Sequence, residues 1–169
     1  MSSKACEKIK QVKAIDVIVS IFLFILPAAG AAVFSRSFQQ DMVWYESLNR
    51  PSWNPPRYLF FPVWIVLYIL IGIGSIILYF KGPLKETWPA FLHYFLHLFL
   101  NWSFSPVFFT AKDILGVAII VTVLVLLILI TLALFLRTSK LAALFLVPIT
   151  AWEIFATALS WAYYVLNRN

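Results

Sequence analysis

Residues 114–136 read ILGVAIIVTVLVLLILITLALFL, a stretch with no charge and only Thr122 and Thr131 as hydroxyl-bearing groups. About 20 apolar residues at a 1.5 Å rise are enough to cross roughly 30 Å of hydrocarbon, so this stretch reads as a membrane-spanning helix. A barrel strand would be about half as long and would alternate apolar with polar residues. Working outward, charge-free runs recur at 17–34, 58–80, 87–111 and 141–167, the last interrupted only by Glu153. The first is slightly short and extends back to Ile15. The pattern predicts an all-α integral membrane protein, a bundle of five transmembrane helices over about 15–34, 58–80, 88–110, 114–136 and 141–166. A basic tail, 1–14, precedes this single domain, 15–168.

Composition agrees: hydrophobic residues make up 63% of the chain and charged residues 12%, against about 45–50% and about 25% in soluble domains. The first run is too long, and the residues after it too bulky and charged, for a cleavable signal peptide. The single cysteine, Cys6, excludes an intrachain disulfide and a cysteine-rich metal site. The net charge of +6 is spread over helix ends rather than gathered beside base-stacking aromatics. It therefore points to lipid headgroups, not nucleic acid. Lys4, Lys8, Lys10, Lys13, Lys81, Lys85, Arg137 and Lys140 fall on one side of the bundle, and Arg36, Arg50, Arg57, Lys112 and Arg168 on the other. Positive charge marks the side that is not translocated, which puts the N-terminus in the cytoplasm of a bacterial cell.

Between the first two spans lies the long polar segment Trp44-Tyr45-Glu46-Ser47-Leu48-Asn49-Arg50-Pro51-Ser52-Trp53-Asn54-Pro55-Pro56. Its prolines lack N–H donors and restrict the residues before them, so it reads as a stiff aromatic loop, a lid at the mouth of the bundle. The short later loops imply that consecutive helices pack as neighbours. The second helix sets Trp64, Tyr68, Gly72, Ser75 and Tyr79 on one face. The fourth reads as scaffold. In the first, Pro27 and the small residues 28–32 suit close backbone approach, either within the chain or across a homodimer seam.

His93, His97, Asn101 and Ser105 form a polar stripe at helical spacing on the third helix. Unsatisfied polar groups in lipid cost several kcal/mol, so the stripe faces the bundle interior. Internal hydrogen bonding, ligand contact and metal chelation through the two histidines all remain open, although no third metal ligand has recognisable spacing. Glu153, in the middle of the fifth helix, is a functional-site candidate by position alone. On helical rise it lies about 18 Å deep, bracketed by His97 at about 13 Å and Asn101 at about 20 Å. A pocket-floor pair of His97 and Glu153 is therefore possible, and a purely structural link between two helices is the other reading. No phosphate loop, catalytic triad or paired carboxylates occur, so conventional acid–base or nucleophilic catalysis is not expected. Aromatic residues, 18% of the chain, concentrate near the loop, which suits stacking of a flat apolar ligand.

Trp44-Tyr45-x-x-Leu48-x-Arg50-Pro51-x-Trp53-x-Pro55-Pro56, followed by Pro62-Val63-Trp64-x-x-Leu67-Tyr68, resembles the signature of the TspO/translocator protein family. Those are the tryptophan-rich sensory proteins, which include the peripheral benzodiazepine receptor. Leu100-Asn101-Trp102, Pro106-x-Phe108-Phe109 and Ala111-Lys112 are similar to its third-helix motif, and Pro148-x-x-x-Trp152-x-x-Phe155-Ala156-Thr157-x-Leu159 to its fifth. Pro27-x-x-Gly30 and Ser35-Arg36 resemble the end of its first helix. The likeness spans about 27–168.

The resemblance implies a five-helix membrane protein, commonly a homodimer, that binds porphyrins and haem-related tetrapyrroles, sterols, and isoquinoline or benzodiazepine compounds, with no other cofactor. The ligand-lining residues it implies are Tyr45, Pro55, Trp64, Asn101, Trp102, Ser105, Trp152, Ala156 and Leu159. Leu159, Tyr163 and Arg168 match its sterol segment, a weak pattern by nature. Some bacterial members are reported to degrade protoporphyrin in light with the tryptophans matched here by Trp64 and Trp152. Handling or transport of these ligands, light-dependent degradation, and sensing through a protein partner are the three functions implied. The chain departs from the family at Arg50, Phe104, Ile120 and Ser160, and above all at Glu153, where an apolar or small residue is usual. The spacing from Arg36 to Trp44 resembles animal members, favouring the mitochondrial outer membrane for a eukaryotic chain; a bacterial chain would sit in the cell membrane.

Overall fold

A computed structural model of the protein describes residues 14–26, 30, 34 and 41–168. The basic tail through Lys13, Arg36 and most of the small-residue run after Leu26 lie outside the described residues. The architecture is all-helical, with 86% helix and no strand among the described residues. The chain opens with α1, Ala14–Ser20, which continues into a π-helical stretch, Ile21–Ile25. After the short α2, Met42–Ser47, a 3-10 turn over Arg57–Leu59 leads into α3, Phe60–Lys81. Then follow α4, Leu84–Ser105, a π-helical turn Pro106–Thr110, α5, Ile114–Thr138, α6, Lys140–Leu144, and α7, Val147–Asn167.

Among the described residues, three segments are long and apolar enough to cross a membrane: Arg57–Lys81, Ile114–Thr138 and Lys140–Asn167. The expected third span has the length, at 22 residues, but His93, His97, Asn101 and the charged first turn dilute its hydropathy. It also starts and ends earlier than the charge-free run suggests. Pro106 has no N–H to continue the α ladder, so the chain widens into the π turn, closed by the Ala111 N–H donating to the Pro106 carbonyl at 3.0 Å. The expected fifth helix is divided for the same reason. Pro148 withholds an N–H, and the turn at Phe145 and Leu146 is held instead by three-residue bonds from the Leu146 N–H to the Ala143 carbonyl (2.9 Å) and from the Phe145 N–H to the Ala142 carbonyl (3.3 Å).

Packing departs from simple succession. α4 lies along α5, and α5 along α7, whereas α3 touches α4 only lightly and rests on Ile21–Ile25 and α6. Two glycines allow that approach: a Cβ on Gly74 would stand 2.8 Å from the Ala142 carbonyl oxygen, and one on Gly72 3.2 Å from that of Phe24. The core divides in two. One cluster joins Phe24, Tyr68, Ile71, Leu78, Tyr94, Ile128 and Phe135. The other, nearer the loop, joins Tyr45, Phe108, Val117, Leu159 and Tyr163.

Candidate functional site

A cavity of about 150 Å³ opens between α3, α4, α5 and α7 beneath the loop. Aromatic rings make much of its wall. Trp64 stacks on Tyr68 at 5.3 Å and meets Trp152 edge-on at 6.4 Å, while Phe60 stands edge-on to Trp152 at 6.0 Å. Phe108 and Phe109, both on the π turn, reach the cavity as well. α5, expected as scaffold, supplies Val117, Val121 and Leu124, spaced by four and three residues and therefore on one face.

The roof is latched by polar groups. Asp41 caps α2 by accepting from the Trp44 N–H at 3.0 Å and pairs with Lys112 Nζ at 2.7 Å. The Lys112 hydrogen bond, foremost, and the Trp44 N–H hold the Asp41 carboxyl below its usual value. Lys112 itself sits in the left-handed region, with φ 56°, a conformation a non-glycine residue takes at a cost. Arg50 donates to the Tyr45 carbonyl at 3.1 Å and lies 4.7 Å from the Tyr45 ring centroid. The Asn49 N–H donates to Asn167 Oδ1 at 2.9 Å, and Asn167 Nδ2 returns a bond to the Asn49 carbonyl at 2.9 Å. A chain of hydroxyls runs inside: Tyr163 donates to Asn54 Oδ1 at 3.0 Å and lies 3.3 Å from the Tyr45 hydroxyl. Trp53 packs edge-on against Phe155 at 5.7 Å.

The floor is built differently. His97 Nε2 and Glu153 Oε1 lie 2.5 Å apart, and both side chains are buried, 0% and 2% exposed. The Tyr68 hydroxyl donates to Asn101 Oδ1 at 2.6 Å. His93, at the shallow end of the stripe, uses Nδ1 to donate to the Pro89 carbonyl at 2.8 Å, a bond within its own helix. Among the described residues, no group of three or more His, Cys, Asp or Glu is placed to hold a metal ion.

Of the residues singled out from sequence, Tyr45, Trp64, Asn101, Ser105, Trp152, Ala156, Leu159, Tyr163 and Glu153 border the cavity. Pro55 does not: it stiffens the roof next to Asn54. Trp102 packs instead with the deeper core cluster and stacks on Phe34 at 5.6 Å. Arg168 is exposed beyond the end of α7, apart from Leu159 and Tyr163, which are both buried. His97 backs the wall behind Glu153 rather than lining it. The asparagine latch and the Asp41–Lys112 pair went unread in the sequence; Asp41 ahead of a short helical stretch is the only local signal, as an N-cap residue.

Membrane-spanning helices enclosing an aromatic cavity under a proline-stiffened loop define a helical membrane protein with a built internal site. The chain belongs to the TspO/MBR family, whose model matches residues 22–166. It is 36% identical over 153 residues to the tryptophan-rich protein TspO of Bacillus cereus, covering 88% of this chain and 96% of that protein. It is 31% identical to the tryptophan-rich sensory protein of Cereibacter sphaeroides, over 89% of this chain and 93% of that one. The human translocator protein is 33% identical over 147 residues, 85% of this chain and 86% of its own length.

Proposed function

We propose that this protein binds flat apolar ligands in the cavity beneath its first loop, namely porphyrins and related tetrapyrroles, sterols, and isoquinoline or benzodiazepine compounds, and takes part in their handling or transport. The observation that carries the reading is the wall of facing aromatic rings, Phe60, Trp64, Tyr68, Phe108 and Trp152, around one cavity roofed by the loop. Large rings stack on such a wall with favourable offset or edge-on geometry. At about 150 Å³ the cavity is smaller than the roughly 300–1,000 Å³ of typical ligand sites. Admission of a tetrapyrrole therefore requires the loop to lift.

The same reading carries five membrane spans and a homodimer, with the small residues of the first helix packing within the chain or across the dimer seam. It places a eukaryotic chain in the mitochondrial outer membrane and a bacterial one in the cell membrane. A second reading, light- and oxygen-dependent porphyrin degradation, is supported by Trp64 and Trp152, whose rings both border the cavity 6.4 Å apart. Titration of the purified protein with protoporphyrin, in darkness and in light, tests both. Saturable binding in the dark is the expected result, and no saturable binding overturns the proposal. New absorbing products in light, without loss of dark stoichiometry, favour the second reading.

A further inference from the structure

Among the described residues, two charged side chains border the cavity, Glu153 at the floor and Arg57 at the mouth. Glu153 is taken up by His97. Arg57 is held far more loosely. Its Nη1 donates to Glu46 Oε1 at 3.4 Å, longer than the usual ~2.7–3.2 Å, and the two side chains are 60% and 62% exposed. Arg50 and Lys112 are engaged elsewhere and do not border the cavity: Arg50 is turned onto the carbonyl and ring of Tyr45, and Lys112 onto Asp41. Arg57 opens the 3-10 turn that leads into α3, and the cavity-lining residues after it are Phe60, Phe61, Trp64 and Tyr68. Offsets of three, four, seven and eleven residues put them all on one helical face. A guanidinium therefore stands above a ladder of aromatic rings, roughly 16 Å of helical rise from its last rung. The group that Arg57 meets in the closed roof is a carboxylate, and it comes from α2, which lifts with the loop.

Resting on the binding reading above, we propose that Arg57 selects ligands whose flat apolar body carries a carboxylate at one edge, the rings entering the aromatic wall while the guanidinium takes the carboxylate in place of Glu46. Guanidinium N–H groups form a planar fork that matches both oxygens of a carboxylate. The 3.4 Å contact with Glu46 uses a single nitrogen of that fork. Exchanging one exposed carboxylate for another costs little, because an exposed pair contributes little to begin with. An acidic ligand frees Glu46, and with it α2, as it docks. A neutral ester of the same ring fills the wall but leaves the roof pair in place.

The test uses protoporphyrin and protoporphyrin dimethyl ester, which share a ring and differ in the charge at its edge. Each is titrated in darkness into the full chain in phosphatidylcholine nanodiscs at neutral pH, and the readout is the ratio of the two affinities. Partition of each probe into the bilayer cancels when that ratio is compared between variants. In Arg57→Gln the acid-to-ester ratio should fall about two- to fivefold, the size of an exposed ion pair, through weaker acid binding with the ester unaffected. Arg57→Lys, which keeps the charge and loses the fork, should fall less. Glu46→Gln removes the competing carboxylate and should raise the ratio. Lys140→Gln, the same charge change at the far end of the bundle, should leave it where it is. High salt should narrow the gap between Arg57→Gln and the unaltered protein. An Arg57→Gln ratio equal to that of the unaltered protein overturns the inference and leaves Arg57 to the lipid headgroups, whether both affinities hold or both drop together. Equal falls in Arg57→Gln and Lys140→Gln also overturn it, since diffuse surface charge then accounts for the preference. In both cases saturable binding of the ester to the unaltered protein keeps the binding reading intact. Failure of both probes to bind the unaltered protein overturns that reading as well.

Discussion

The roof and the floor of the cavity are both held by hydrogen bonds and ion pairs, yet they are different kinds of structure. Asp41–Lys112 and Glu46–Arg57 in the roof are between 40% and 62% exposed, whereas His97–Glu153 in the floor is at most 2% exposed. Water competes for these two exposed pairs, so each contributes little and can be remade when the loop moves. The floor has no such alternative. Its pair lies where the dielectric is low and an unpaired group finds no replacement partner. A lid made of many weak polar contacts can open cheaply, and a base made of one strong pair keeps α4 and α7 in register while it does.

The sharpest way to break this comparison is to remove one half of the floor pair. Glu153→Leu leaves His97 buried without its partner, and losing one member of a buried pair costs about 3–5 kcal/mol. Thermal unfolding in detergent should show a large drop. The double variant His97→Leu with Glu153→Leu should recover much of it, because apolar replacement of both partners is close to neutral. If single and double variants melt alike, the pair is not what joins the two helices.

A middle-sized effect separates the wall from the lipid-facing surface. Trp64→Ala removes a ring that borders the cavity, while Trp88→Ala removes one that is 55% exposed near the start of α4. A stacked aromatic pair contributes about 0.5–1.5 kcal/mol beyond its buried area. The dissociation constant for protoporphyrin should therefore rise several-fold in the first variant and stay level in the second. Matching constants would take Trp64 out of the site.

The roof should respond more gently. Pro55 and Pro56 fix the backbone next to Asn54, which anchors Tyr163. Changing both prolines to alanine loosens the loop and adds an ordering cost to closure. Amide exchange over residues 41–54 should quicken, with a rise in dissociation constant smaller than that of Trp64→Ala. Unchanged exchange would mean that the hydrogen bonds alone, not the prolines, set the lid.

The same contrast explains what could be read from the chain. Apolar runs made the spans legible because lipid demands uninterrupted hydrophobicity, and 114–136 needed almost nothing else. Glu153 and His97 were legible as a pair because depth along two helices is simple arithmetic, and an intramembrane acid has few places to go. Breaks at Pro106 and Pro148 were less visible. A proline in an apolar run gives no hint whether the helix kinks, widens or restarts, which depends on the neighbours. Trp102, named by the resemblance alone, packs with the deeper core cluster and Phe34 rather than at the cavity. The asparagine latch joins residues 118 apart, and no local pattern encodes such a contact.

The smallest expected effect concerns one roof contact that pH can address. Asp41 lies outside the spans, and its carboxyl is held below the ordinary aspartate value of 3.8, first by the bond from Lys112 and then by the Trp44 N–H. A carboxyl whose pKa is depressed by folding contributes stability that is fully present above the unfolded value and is lost as pH falls through the folded one. The latch is therefore intact near neutrality and lets go only below about pH 3.8, as Asp41 takes up a proton. Carboxyl carbon NMR should find the Asp41 midpoint under 3.8 in the unaltered protein. In Lys112→Gln the midpoint should move up toward that value, because the larger of the two stabilising contacts has lost its charge. The floor should not notice: thermal stability at pH 7 should change far less than in Glu153→Leu. A midpoint that stays put in Lys112→Gln would show that the Trp44 N–H alone holds the carboxylate and that Lys112 is no part of the latch. A melting loss as large as that of the floor variant would erase the difference between the two faces of the cavity.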